Sequence, residues 1–270
     1  GMCEWYTNHK KTTLGKERKG MRREWLPGKS GFPVPCVHTL TGEEQTLCVL
    51  THGFGSGKDG ETARRALAKL PRQGIGVLTF DFPGHGESHQ DSRELTVEGC
   101  LDDLATAEAR ARQLCPHAQV VYFGSSFGAY VILHYLSTRP HVGKRAFLRS
   151  AAVDMPAIYR DFLDQGRALL GRAGDFLAEE GYDRPIWMTE TFAADLIAHS
   201  VWEVYEPGMA ELAMVHGAED AVASPEAARR FAREKEAELT VFPGEGHSLA
   251  GPGVPEQVLR LAAGFFLKNA

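Results

Sequence analysis

Short apolar runs alternate with amphipathic stretches along most of this 270-residue chain. Phe32 to Leu40, Leu47 to Leu50, Ile75 to Phe80, Val120 to Phe123, Arg145 to Leu148, Leu212 to Val215 and Leu239 to Phe242 are short and β-rich, the length and composition of buried strands. Between them lie segments with apolar residues three and four apart. Glu61 to Leu70 places Ala63, Ala66, Leu67 and Leu70 on one face of a helix, and Leu95 to Leu114 repeats the pattern over a longer span. Helices are also expected from Ala129 to Leu136, from Pro225 to Ala237 and from Val254 to Leu267. Ser224 is a natural N-cap for the Pro225 helix, with proline at its first turn. Strands alternating with helices predict a mostly parallel sheet with helices on both faces. In such sheets ligands bind beyond the carboxyl ends of the strands.

Residues 154–208 break the alternation. The segment is too long for a plain connection, shows helical patches separated by Gly166, Gly171, Gly174 and Gly181, and holds eight aromatics. It reads as an inserted cap over the site, within a core formed by residues 31–153 and 209–270. The aromatics either roof that site or hold the insertion together.

Composition narrows the class. A formal net charge of -5 argues against a dedicated nucleic-acid binder. The charge is uneven: residues 1–30 carry eight Lys/Arg against three acids, leaving 22 basic against 32 acidic residues in the remainder. The arm could touch a membrane surface or an acidic partner, but a solvated leader running into the first strand is the simpler reading. Five cysteines without a C-x-x-C spacing give no disulfide framework, which points to a reducing, cytoplasmic setting. No apolar stretch has the length of a signal h-region or a membrane span. The oligomeric state is left open, a homodimer included.

The chemistry concentrates at Gly124-Ser125-Ser126-Phe127-Gly128, a G-x-S-x-G that follows the Val120 strand and precedes a helix. Strand, sharp turn and helix in that order form a nucleophile elbow around Ser126. The flanking glycines permit backbone approaches that a Cβ would block. A serine hydroxyl needs a base beside it, and imidazole titrates near the working pH. His247, the last histidine, sits in the Gly-rich loop Pro243 to Ser248 after the final strand. The acid should follow the penultimate strand, where Asp220 is the choice on its spacing from Gly217. Glu219 is its nearest rival, Asp154 a weaker one, and Glu245 is expected to face water. The oxyanion donors expected are the backbone N–H groups of Phe127, the residue after the serine, and Phe54, in the loop His52 to Gly57. Gly57-Lys58 resembles the end of a phosphate-binding loop, but His52 and Asp59 occupy the positions that motif reserves for Gly and Ser/Thr. His85 and His89 are four apart, yet Pro83, Gly84 and Gly86 oppose the helix that would align them on a metal. A structural turn is the better reading, and neither metal nor cofactor is expected.

Taken in order, His-Gly-Phe at 52–54, Asp-Phe-Pro-Gly-His-Gly-Glu-Ser at 81–88, Gly-Ser-Ser-Phe-Gly at 124–128, Gly-Ala-Glu-Asp at 217–220 and Gly-His-Ser at 246–248 resemble the α/β-hydrolase superfamily over about residues 32–270. Within it the chain looks like small bacterial cinnamoyl/feruloyl esterases and monoacylglycerol lipase or serine-aminopeptidase-like hydrolases. That resemblance implies Ser126, Asp220 and His247 as a triad, Phe54 and Phe127 N–H as an oxyanion hole, and a cap after the sixth strand. It implies hydrolysis of a small ester with an aromatic or acyl portion. Amide or thioester cleavage, or a binding role without catalysis, are the alternatives. Ser125 departs from the pattern, since many such proteins carry His there.

Overall fold

A computed structural model describes residues 20–269. Most of the basic residues of the leader, and Cys3, lie outside them. Eight strands form one sheet in the spatial order β1 (Arg22–Pro27), β2 (Pro33–His38), β4 (Ile75–Phe80), β3 (Thr46–Thr51), β5 (Gln119–Ser125), β6 (Arg145–Arg149), β9 (Glu211–Gly217) and β10 (Glu238–Phe242). The two pairings of β2 are antiparallel and every other pairing in this sheet is parallel.

Period-two alternation builds two cores. In β3, Leu47 and Val49 point into one apolar cluster and Cys48 and Leu50 into the other. The first cluster packs against α2 (Val97–Leu114), α3 (Phe127–Thr138) and α7 (Pro225–Glu234). The second lies under α1 (Glu61–Lys69) and α8 (Val254–Leu267). Ser224 caps α7 as the sequence predicts, its side chain accepting the Ala227 N–H at 3.2 Å.

The leader, however, is not loop throughout. β1 lies inside residues 1–30 and pairs with β2 from Arg22↔His38 to Pro27↔Pro33. Only Leu26 in it is buried, so the strand carries almost no apolar signal of its own. Its place comes from the backbone ladder to β2 and from Arg23 pairing with Asp59 at 2.7 Å.

Between β6 and β9 the chain leaves the main sheet. It forms α4 (Met155–Leu170), the antiparallel pair β7 (Phe176–Ala178) and β8 (Ile186–Met188), α5 (Glu190–Ile197) and α6 (Val201–Val204). Gly166 lies within α4 and does not separate two helices. A Cβ there would fall 2.1 Å from the Phe176 ring, so the glycine lets β7 approach the helix. Cys36, Cys48, Cys100 and Cys115 are buried and unpaired, and burial pushes the Cys36 thiol up to about 12. Among the described residues no helix is long and apolar enough to cross a membrane.

Candidate active site

The loops leaving the carboxyl ends of β3, β5, β6, β9 and β10 converge on one cleft of about 490 Å³. At the end of β5 the chain turns at Ser126, whose φ of 54° and ψ of -111° are a strained conformation for a residue with a Cβ. The strain is held by hydrogen bonds: Ser126 N–H donates to the Arg149 carbonyl at 2.8 Å, and its own carbonyl accepts from Ala129, Tyr130 and Ala152. The flanking glycines are required by contact. A Cβ on Gly124 would sit 2.6 Å from the Ala129 Cα, and one on Gly128 2.4 Å from the Thr51 carbonyl oxygen.

The structure brings Ser126, His247 and Asp220 together. His247 Nε2 lies 2.9 Å from Ser126 Oγ, and His247 Nδ1 lies 2.7 Å from Asp220 Oδ2. A carboxylate only accepts, so Nδ1 carries the proton and Nε2 is left to accept from the serine hydroxyl. Asp220 Oδ1 is fixed by the N–H groups of Val222 and Ala223, both at 2.8 Å. Burial alone would raise the Asp220 carboxyl, but the bonds from His247 and the two amides outweigh it and hold it below the ordinary carboxylate range. His216 packs 3.3 Å from Asp220 Oδ2 and donates Nε2–H to the Ala223 carbonyl at 2.8 Å.

The rival acids are engaged elsewhere. Glu219 is exposed, and Asp154 accepts the Trp202 indole N–H at 2.8 Å. Glu245, expected to face water, instead accepts the Gly251 N–H at 2.9 Å and ties up the histidine loop. That loop crosses directly over the end of β9. A Cβ on Gly217 would lie 2.3 Å from the Glu245 carbonyl oxygen, so glycine there lets the loops of Asp220 and His247 pass each other.

The His52–Gly57 loop lies against the elbow: a Cβ on Gly53 would be 3.6 Å from the Ser126 Cβ. Neither Phe54 N–H nor Phe127 N–H donates in the described turn and loop bonds, and both residues border Ser126, in the loop and in the chain respectively. His52 braces the loop. Its Nδ1–H donates to the Gly53 carbonyl at 2.7 Å while Nε2 accepts the Phe82 N–H at 3.0 Å. Only a neutral imidazole can do both, and burial pulls His52 down to about 4.

Lys58 is buried and bonds Asp81 at 2.8 Å, Glu87 at 2.6 Å and Asp59 at 3.2 Å. It anchors the loop to the 81–88 turn and is not presented as a phosphate ligand. His85 is buried with Nδ1 against the Pro83 carbonyl, and His89 packs against Trp25. The two do not converge, and the described residues contain no cluster that could hold a metal ion.

The aromatics of residues 154–208 divide by role. Phe162 and Tyr182 line the cleft. Tyr159 and Phe192 pack on Phe54, Phe176 against Gly166, and Trp202 and Tyr205 against Phe231. Sequence reading missed Arg149. It stands opposite Ser125 in the β5–β6 register and also lines the cleft, donating to Ser125 Oγ at 2.8 Å and to the Ser248 carbonyl. The available signal was Ser125 itself, the one departure from the expected pattern in the elbow.

Residues 48–261 match the sequence pattern of the alpha/beta hydrolase family, and the chain belongs to it. A 100-residue stretch, 37% of this chain, is 30% identical to the proline iminopeptidase PfmaB of Pestalotiopsis fici, and spans about a third (34%) of that relative. Among solved structures, Est1E from Butyrivibrio proteoclasticus, with ferulic acid bound, superposes with a TM-score of 0.76 at 18% identity, covering 91% of this chain and 100% of that one. The esterase Pf2001 of Pyrococcus furiosus gives 0.67 at 17% identity, covering 91% of both chains. At these identities the likeness is one of fold, and that fold is the α/β-hydrolase architecture the sequence predicts.

Proposed function

We propose that this hydrolase cleaves carboxylic esters through an acyl-enzyme on Ser126, with His247 as base and Asp220 as its partner. The observation that carries the reading is the unbroken chain from Asp220 Oδ2 through the His247 ring to Ser126 Oγ, at 2.7 and 2.9 Å, on the wall of the cleft. Ser126 Oγ bonds to the ester carbonyl carbon while its proton passes to His247 Nε2. The carbonyl oxygen becomes an oxyanion received by the N–H groups of Phe54 and Phe127. The C–O bond to the alcohol breaks, and the alkoxide leaves with the proton from His247. Water then attacks the acyl carbon, gives a proton to His247, and releases the acid as Ser126 recovers its own.

Residues 154–208 act as the cap, supported by Met155, Ile158, Phe162 and Tyr182 in the cleft wall. The reading includes a cytoplasmic setting, supported by the four buried, unpaired cysteines.

A panel of short-chain p-nitrophenyl esters given to wild type and Ser126→Ala tests the proposal. Turnover by the wild type alone supports it, and equal turnover by both proteins sinks it. The stretch shared with a proline iminopeptidase favours peptide cleavage as the second reading. Prolyl-β-naphthylamide turned over faster than the esters would establish that reading instead.

A further inference from the structure

We propose that Arg149 selects esters whose acyl portion carries a carboxylate, an inference that rests on the ester-hydrolase reading above. Arg149 ends β6, shares the cleft with Ser126 and His247, and touches the residue next to the nucleophile.

Its partners are both neutral: the Ser125 hydroxyl at 2.8 Å and the Ser248 carbonyl. Among the described residues no carboxylate lies within 4.0 Å of it, unlike Lys58 and Arg139, enclosed cations that are paired. The two acids that act on it from farther away are committed to other groups: Asp220 to His247, and Glu61 to Arg65 at 2.8 Å. Burial pulls the guanidinium down to about 10, so it stays charged at neutral pH while paying for lost water. The cleft that holds it also takes in the buried side chains of Leu50, Phe123 and Leu249.

A half-buried guanidinium on the cleft wall, with two of its five N–H donors used, is a receptor for a planar anion, and a carboxylate fits it bidentately. Ser125 and Ser126 are neighbours, with Cα atoms about 3.8 Å apart. The guanidinium thus stands close to the nucleophile, which fits a carboxylate on a short chain, and the proposal assigns that chain to the acyl side, as in a half-ester of a short dicarboxylic acid.

The test compares monoethyl glutarate with ethyl butyrate, followed by proton release, in wild type, Arg149→Gln and Arg149→Lys. The readout is the ratio of kcat/KM for the two esters, because loss of the Ser248 contact slows both. The wild type is expected to prefer the glutarate ester, the ratio to fall by about tenfold or more in Arg149→Gln, and Arg149→Lys to keep part of it. A ratio unchanged in Arg149→Gln, or a wild type that prefers butyrate, overturns the proposal and leaves Arg149 as a brace for the histidine loop.

A second measurement does not depend on turnover. Glutarate should raise the Tm of Ser126→Ala, and should fail to raise that of the Ser126→Ala/Arg149→Gln protein. No rise in the first, or an equal rise with inorganic phosphate, overturns the carboxylate assignment. If neither ester is cleaved but glutarate raises Tm through Arg149, the ester reading fails and the carboxylate site stands.

Discussion

The Ser150 hydroxyl donates to the His247 carbonyl at 2.7 Å, joining the end of β6 to the loop that carries the proposed base. Ser150 is fully buried and holds a φ of 50°, and its neighbour Arg149 grips the next carbonyl of the same loop, that of Ser248. Removing the hydroxyl leaves a carbonyl without its partner, a loss of about 1–3 kcal/mol. Ser150→Ala is expected to lower kcat roughly tenfold, with KM within about twofold, because the lost bond acts first on the aim of His247. Steady-state kinetics on p-nitrophenyl butyrate checks this, and a KM effect larger than the kcat effect would contradict it.

Asp220→Asn preserves shape but offers an amide N–H or oxygen where the imidazole needs a carboxylate. Losing that control of tautomer should cost roughly 10²–10⁴-fold in kcat. Glu219→Gln, at an exposed neighbour, should leave kcat within about twofold. Comparable losses in both variants would reopen the choice of acid.

Acid stability follows from the buried imidazoles. In the folded chain His52 is pulled down to about 4 and His85 to about 3, against 6.5 when unfolded. Below pH 6.5 the unfolded chain therefore binds more protons than the folded one, and stability falls as pH drops towards 4. His52 alone contributes up to about 3 kcal/mol of that loss. Urea titrations at pH 7.5 and 4.5 should show a markedly lower midpoint at the acid end. His52→Asn, which removes the titrating ring, should narrow the gap between the two midpoints.

Lys58→Met should be among the most damaging changes outside the proposed triad. Lys58 is the only cation within 4.0 Å of the fully buried Asp81 among the described residues. An abandoned buried carboxylate costs about 3–5 kcal/mol. Thermal melts should show a Tm lower by several degrees, and Ser126 labelling by a fluorophosphonate should slow, since Asp81 also accepts the Lys58 N–H at the end of the loop that carries Phe54, a proposed oxyanion donor.

Much of this architecture is legible in the sequence because the signals are local. β4 and α8 match the expected ranges Ile75–Phe80 and Val254–Leu267, since buried strands and amphipathic helices write their period into the chain. The elbow is legible because Gly124 and Gly128 each answer a clash within that same turn or with the adjacent β3. β1 is not legible, because five of its six residues are wholly or partly solvent-facing and β2 supplies the order. β7 and β8 are three residues each, too short to show a period. Arg149 escapes for a different reason. Its place is set by Ser125 across the β5–β6 ladder and by Ser248 in the histidine loop, residues far from it in the chain, and a sequence does not display what gathers only in space.

The bond between Ser126 and His247 spans 121 residues of chain. Ser126 is turned into place by β5 and its neighbours, whereas His247, the proposed base, follows β10 at the far edge of the sheet. Closing so long a loop is a late event on entropic grounds. On the proposed triad, labelling of Ser126 by a fluorophosphonate during refolding should therefore lag helix formation, a clock that starts only when β10 and the loop after it have docked.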